Sequence, residues 1–452
     1  MLKNLTAAWT IPDVRARIQF VLMMMGVFVI GLHIPVPGVN LDALENLVAN
    51  TGVLNLFDTF SGGALRKFTI FALGITPYIN ASIIMQLLTV AVPQFEAMAK
   101  EGEAGRKQIA KYTRYATVGL AVLQAVGLIT MLSNAGGNTP IFTGGMLTRL
   151  QVVLALTAGT TFLLWIGESI TEKGIGQGVS LIIFTSIMAR LPYDVGLTIT
   201  ALRDAGPLAI FQVAALFVLF MATVVGILYV TLGTRRIPIQ HAKRQIGNRT
   251  VQAQSSFLPF KVNSAGVMPI IFAISLLMFP ATIASYFNNN NQPNAWTTVL
   301  ARAIINWTTP GQNHFASLVY GGLIMAFTYF YAAILINVTE LTENLKKYGS
   351  FIPGIRPGRP TQEYLDRVLT RITFAGALFL AVIGLVQYYI PQLTGINTFT
   401  LVGGTSLLIV VGVAQDTMQN LESHLIMRNY EGFIRQSSRR ASRTTQTGLS
   451  LR

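Results

Sequence analysis

The sequence predicts an all-α polytopic membrane protein of ten spans, and three observations carry that prediction. Hydrophobic residues make up 52% of the chain and charged residues only 11%, a balance that a water-soluble core does not call for. Uncharged runs recur that are long enough to cross a hydrocarbon core, which takes roughly 20 helical residues. The basic residues behind the net charge of +15 fall in alternate connections between those runs.

The expected spans are 18–36, 72–92, 115–133, 150–171, 179–199, 208–232, 263–286, 314–339, 371–390 and 400–420. The first follows Arg15 and Arg17 and lacks a small-residue cleavage site, so a retained helix is expected and not a cleavable signal peptide. The second belongs to the most informative stretch, FSGGALRKFTIFALGITPYINASIIMQLLTVAVP, residues 60–93. It begins with Gly62 and Gly63, then Arg66 and Lys67, is interrupted by Pro77, and carries isoleucines beyond. An anchoring helix needs none of these features; a small mobile piece followed by a pore-facing helix would need all of them. The fifth span is the least regular, because Arg190 and Asp194 sit in its second half. The uncharged run Ile372 to Gln415 is too long for one crossing, and Pro391, Gly395 and Asn397 divide it into the last two.

Ten spans put both termini on one side. Placing the N-terminus in the cytoplasm gathers most of the lysines and arginines there, including those of residues 100–114, 235–261, 346–371 and the tail. Two basic connections are longer than a turn requires. One, about 233–262, contains RRIPIQHAKRQIGNR, with Arg235, Arg236, Lys243, Arg244 and Arg249. The other, about 340–370, contains NLKKYGSFIPGIRPGRP, where glycine and proline surround Arg356 as a rigid turn holding one cation outward would. Such charges commonly fix topology and touch anionic lipid; a projecting basic surface also suits an acidic or RNA-containing partner. The tail RQSSRRASRTTQTGLSLR is polar and basic, and disorder is expected.

The middles of the spans are nearly free of carboxylates and histidine, unlike those of proton- and ion-coupled transporters. No cysteine is present, which excludes disulfides and thiolate chemistry but says nothing of redox compartment. The four histidines lack metal-ligand spacing, and no nucleotide-binding loop, nucleophile elbow or metalloprotease pair occurs. No enzyme activity, cofactor or metal is therefore expected. The membrane polarity that remains is uncharged: Asn80, Gln86, Gln124 and Asn263 fit ordinary interhelical hydrogen bonds as well as a polar gap. Ile79 and Ile83, like Ile183 and Ile187, are four apart and stack on one helix face. Such residues usually face lipid or pack, so spacing alone assigns no pore.

FSGGALRKFTIFALGITPYINASIIMQLLTV, EGEAGRKQIAKYTRYAT, ITEKGIGQGVSLIIF, QIGNRTVQAQSSFLPFKVNSAGVMPIIFA, FIPGIRPGRPT and VGGTSLLIVVGV together resemble the SecY/Sec61-alpha family, the central subunits of protein-conducting channels. The resemblance runs to about residue 435 and implies ten helices in two pseudo-symmetric five-helix halves around an hourglass pore. The implied divisions are a cytoplasmic segment 1–17, halves 18–200 and 201–420, and a basic tail 421–452. The family's apolar pore ring falls on Ile79, Ile83, Ile183, Ile187, Ile271 and Ile409. Its plug falls at about 55–70, with Asp58, Phe60, Gly62, Gly63, Leu65 and Arg66; Phe57, Phe60 and Leu65 are expected to seat against the ring. Arg66 and Lys67 are expected to keep the plug out of lipid. Spans two, three, seven and eight would form a lateral gate with Gln124, and the basic connections would dock the ribosome or the motor ATPase SecA, with Arg356 as the key contact. SecE, SecG, signal sequences, nascent polypeptides and anionic lipid are the other implied partners, at a cytoplasmic or inner membrane. The implied function is translocation of unfolded preproteins and lateral release of membrane helices. A secondary transporter of a small solute is the alternative, and a pore-less scaffold a third reading.

Overall fold

Helices form where the apolar runs are long, and they stop where proline, glycine or charge intervenes. The computed structural model describes residues 9, 11–41, 44, 58, 61–135, 141–142, 144–204, 209–241, 244–246, 249–251, 255–287, 296–311, 313–394, 404–423 and 425. In chain order the helices are α1 (Pro12–Gly31), α2 (Thr76–Ala91), α3 (Pro93–Lys100), α4 (Glu103–Ala135), α5 (Met146–Lys173), α6 (Gly178–Asp204) and α7 (Ala209–Leu232). After four strands, β1 (Thr234–His241), β2 (Arg244–Ile246), β3 (Arg249–Val251) and β4 (Ser255–Lys261), come α8 (Met268–Phe287), α9 (Trp296–Thr308), α10 (His314–Leu335) and α11 (Val338–Lys347). Then follow β5 (Ser350–Phe351), α12 (Arg359–Thr394) and a last helix, α13, at residues 405–423.

Among the described residues, eight helices are long and apolar enough to cross a membrane, or nine if the bent pair α2–α3 is one span. Two of the ten expected spans fall outside the eight: α2, with 16 residues, and α13. The expected span 72–92 is shorter because residues 61–75 run through turns. Pro77 lies in the first turn of α2, where its missing N–H leaves no bond unmade. Pro93 then opens α3 after a bend of 96°. Two expected spans extend well past their limits, into α4 (33 residues) and α12 (36 residues). The short helix α9 has no counterpart among the expected elements.

Packing places α8 at the centre. Its sequence MPIIFAISLLMFPATIASYF is apolar all round, and most of it is buried, with Leu276, Pro280, Ile283 and Phe287 left exposed along one face. It is the most buried of the eight spans, while α7 is the least. α8 contacts α2 and α4 on one side and α10 and α12 on another. α1 lies against α5 and α6, and α12 packs along α10.

The basic connections, expected as loops, contain short strands. β1 pairs antiparallel with β4, from Thr234↔Lys261 to Gln240↔Ser255, and with β5 through Gln240↔Phe351 and His241↔Ser350. β2 and β3 form a separate antiparallel pair. β1 reads TRRIPIQH; Ile237 and Ile239 are buried while Arg236, Pro238 and Gln240 face out, which is the alternation of a half-buried strand. On the β5 side Pro238 has no strand partner, because β5 pairs only with Gln240 and His241 of β1. The two basic connections therefore form one cap, cored by Ile237, Phe260, Val338, Ile352, Leu365 and Leu369.

Candidate functional site

One face of α6 organises the site. Ile183, Ile187, Arg190 and Asp194 recur at i, i+4, i+7 and i+11, which places them on a single stripe of the helix. The stripe is apolar in its first two turns and charged in the next two. Helical rise puts Arg190 about 4.5 Å along the axis from Ile187.

The apolar part meets isoleucines from three other helices. Ile79 and Ile83 of α2, Ile271 of α8 and Ile409 of α13 join Ile183 and Ile187 in one buried cluster, each at most 8% exposed. On the side toward the cap, Ile183, Ile271 and Ile409 form part of the wall of a cavity of ≈190 Å³. The rest of its lining is mixed, with Gln177, Ser180, Lys261, Asn263 and Asp416 beside apolar residues such as Val267, Met268, Leu408 and Val413. Along α6 these isoleucines lie between that cavity and the charged half of the stripe, which makes them the candidate constriction.

Beyond the constriction sits the connection before α2. Asp58 is 1% exposed and its Oδ2 lies 3.3 Å from Nη1 of Arg190. Arg190 Nε lies 3.2 Å from Asp194 Oδ1. Arg66 completes the group: its backbone N–H donates to Asp58 Oδ1 at 3.0 Å, its Nε is 3.6 Å from Asp58 Oδ2, and its guanidinium covers the Tyr193 ring at 4.8 Å. Burial pushes the Asp58 carboxyl up from its ordinary value, against the pull of Arg190 and then of the Arg66 N–H and guanidinium. A charged Asp58 at this depth depends on those arginines. Local turns shape the connection: Gly63 N–H and the Ser61 hydroxyl both donate to the Asp58 carbonyl. Gly62 has φ +73°, and a Cβ there would stand 2.8 Å from the Ser186 carbonyl of α6. Only glycine permits both that conformation and that approach.

Two further features flank this axis. Between α2, α4 and α8 lies a small crevice of ≈30 Å³ bordered by Thr76, Asn80, Gln124, Ile271 and Ser275. Gln124 is buried, and its Oε1 accepts no hydrogen bond from the described residues. At the cap, Arg235, Arg236 and Arg356 are exposed. Arg356 stands in a turn whose Gly354 and Gly358 have φ of +82° and +107°, and its carbonyl accepts from the Thr361 hydroxyl at 2.8 Å. Arg236 lies over the Phe257 ring at 4.9 Å.

A sequence-family model described as SecY matches residues 69–418. The chain is 43% identical over 446 residues to the "Protein translocase subunit SecY" of Halalkalibacterium halodurans, covering 96% of this chain and all of that protein. It is 42% identical over 446 residues to the subunit of the same name in Bacillus subtilis, again covering 96% and 100%. The chain belongs to the SecY family. Solved structures share the fold of this SecY-family chain at low identity. One described as a protein-conducting channel superposes with a TM-score of 0.62 at 15% identity, covering 90% of this chain and 92% of that one. Another, concerned with the plug domain of a SecY protein and its closed state, gives 0.60 at 16% identity with the same coverage.

Against the SecY resemblance, most expected site residues come together, and some do not. The six ring isoleucines share one cluster. Leu65 does not seat against them: it is 1% exposed within a second cluster that includes Val36, Phe68, Leu128 and Leu156. Its neighbour Ala64 is the residue that joins the isoleucine cluster. Arg66 is not merely kept from lipid but largely buried against Asp58 and Tyr193, while Lys67 is exposed. Phe57, Phe60 and Lys243 lie outside the described residues, and Arg244 and Arg249 are described only as strand backbone. Asn263 donates locally to the Gly266 carbonyl at 3.0 Å, the ordinary role for such a residue. The sequence marks Arg190 and Asp194 only as making the fifth span the least regular. Their spacing on one face with Ile183 and Ile187 was the signal that they belong to the site.

Proposed function

We propose that the chain is the protein-conducting subunit of a translocation channel. One observation supports the reading: isoleucines from four helices, far apart in sequence, meet in one buried cluster at the end of a cavity of mixed polar and apolar lining, as a constriction would require. A dry ring of branched aliphatic side chains blocks ions by dewetting and can still be pushed apart by a polypeptide. In this reading ten spans form two halves, 18–200 and 201–420, and the connection at about 55–70 is the plug. α2 and α4 face α8 along the lateral gate, where a signal sequence or nascent membrane helix enters beside Gln124. Gln124 offers a polar contact that a passing backbone could use. The chain lies in the cytoplasmic or inner membrane with both termini in the cytoplasm, SecE and SecG bound, and anionic lipid around it. SecA or the ribosome docks on the basic cap through Arg356 and the arginines of β1, and supplies the energy.

Reconstitution tests this directly. The purified chain with SecE and SecG, placed in liposomes, should import an unfolded preprotein when SecA and ATP are added. Saturable uptake of a small solute without SecA, and no preprotein import, would replace the channel with a transporter.

A further inference from the structure

We infer that Arg190, braced by Asp194, is the positioning residue that fixes the plug in its seat, through a charge pair with Asp58 that joins the two elements. The inference rests on the plug reading of the connection before α2 and assigns that seat its specific contact.

Charge balance is the first argument. Among the described residues the buried group holds two carboxylates, Asp58 and Asp194, and two guanidiniums, Arg66 and Arg190, whose formal charges cancel. The second argument is how those charges are divided. Asp58 and Arg66 both belong to the connection and pair with each other; Arg190 and Asp194 both belong to α6 and pair with each other. Between the elements, the ion pair that the described residues show is Asp58–Arg190. When the plug leaves, each side therefore departs with its own counterion. No charge is stranded, so the contact can break and re-form as a unit. A buried pair adds little net stability compared with apolar packing, but losing one partner is severe. That combination suits a device that specifies one position and stays reversible.

Geometry supplies the third argument. Ser186, Arg190 and Tyr193 recur at i, i+4 and i+7 on α6, and each meets the connection: Gly62 against the Ser186 backbone, Asp58 on Arg190, Arg66 over Tyr193. The contact is thus a three-point seat, with the ion pair at its middle. It begins within one helical turn of Ile187, so a seated plug sits directly beyond the constriction.

A double-mutant cycle tests the inference in the reconstituted complex, with resting ion conductance as the readout. Asp58→Ala and Arg190→Gln should each raise the leak about tenfold, as breaking one end of a buried pair demands. The double variant should leak no more than the worse single one, because both remove the same contact. Arg190→Lys keeps the cation and should stay near the unmodified level. A cysteine at the buried Leu65 should be alkylated readily in the leaky variants and slowly in the unmodified background. Tight single variants, or a double variant whose leak is the product of the two, would overturn the latch. If Arg190→Gln does not accumulate, Asp58→Ala, which leaves α6 untouched, still decides: a tight channel refutes the inference. Failure of the channel reading looks different, since the unmodified complex would then not import preprotein at all.

Discussion

In the proposed reading the isoleucine constriction and the plug seat lie on the same face of α6, one turn apart, and hold the channel shut by opposite chemistry. At Ile183 and Ile187 the contacts are dispersion and the exclusion of water, which are indifferent to small shifts in register. At Arg190 and Asp194 the contacts are directional and charged, and they fit one partner in one position. A seal that must part for any polypeptide and close again needs the first kind. A part that must return to one place needs the second. Neither would serve in the other's position: a charged ring would stay wet, and an apolar plug would have no preferred seat.

The largest expected effect comes from making the constriction resemble the seat. Ile83→Asn with Ile409→Asn puts two amides where both isoleucines are under 5% exposed. Water that was excluded would be held there, since a buried amide without a partner costs about 1–3 kcal/mol and hydration removes that cost. Resting conductance should rise about a hundredfold, on the same scale of energies per amide. Single-channel recording checks this, and a bilayer as tight as with the unmodified chain would show that the ring does not gate.

A smaller effect separates two adjacent glycines at the seat. Gly62→Ala meets both a left-handed backbone (φ +73°) and the Ser186 carbonyl at 2.8 Å. Gly63→Ala meets only the backbone, φ +81°, with open space around its Cβ. Left-handed backbone costs a side chain about 1–2 kcal/mol, and overpacking adds about 1–3 kcal/mol. Gly62→Ala should therefore leak several times more than Gly63→Ala. Equal leak from the two would mean that the glycines serve only as turn formers and that the seat on α6 does not hold the plug.

How much of this the sequence disclosed depends on whether the cause was local. Helical spans were legible because each carries its own apolar run; β1 was missed, because its basic residues read as a loop although Ile237 and Ile239 alternate with outward-facing residues. Pro77 marked a boundary correctly, but it starts α2 and does not break it. The ring could not be read from spacing, because isoleucines that pack in lipid have the same spacing; the family resemblance was needed to gather them. The Asp58–Arg190 pair could not be read from the sequence, since its partners lie on different elements: Asp58 was expected only within the plug, and Arg190 only as an irregularity of the fifth span. Leu65 was misplaced for a related reason: its size suggested a stopper, whereas the turn at residues 61–64 aims the smaller Ala64 toward the ring cluster and Leu65 toward the second one.

The smallest expected effect on leak lies at the far end of the molecule and sharpens the comparison by contrast. Arg356 is exposed, and only its backbone carbonyl, not its guanidinium, takes part in the turn, accepting from Thr361. Gly354 and Gly358 hold that turn in conformations that owe nothing to the arginine side chain. Arg356→Glu should therefore leave folding within about 0.5 kcal/mol, as for other surface substitutions away from special features. It should leave resting conductance unchanged, since neither the ring nor the seat is touched. Driven import should nonetheless fall severely, because a reversed charge on the basic cap repels the acidic or RNA surface that the cap is proposed to meet. The loss should appear with SecA and with ribosomes alike if both use this turn. A channel that stays tight and also imports at the normal rate would remove Arg356 from the docking surface, while leaving the constriction and the seat as they stand.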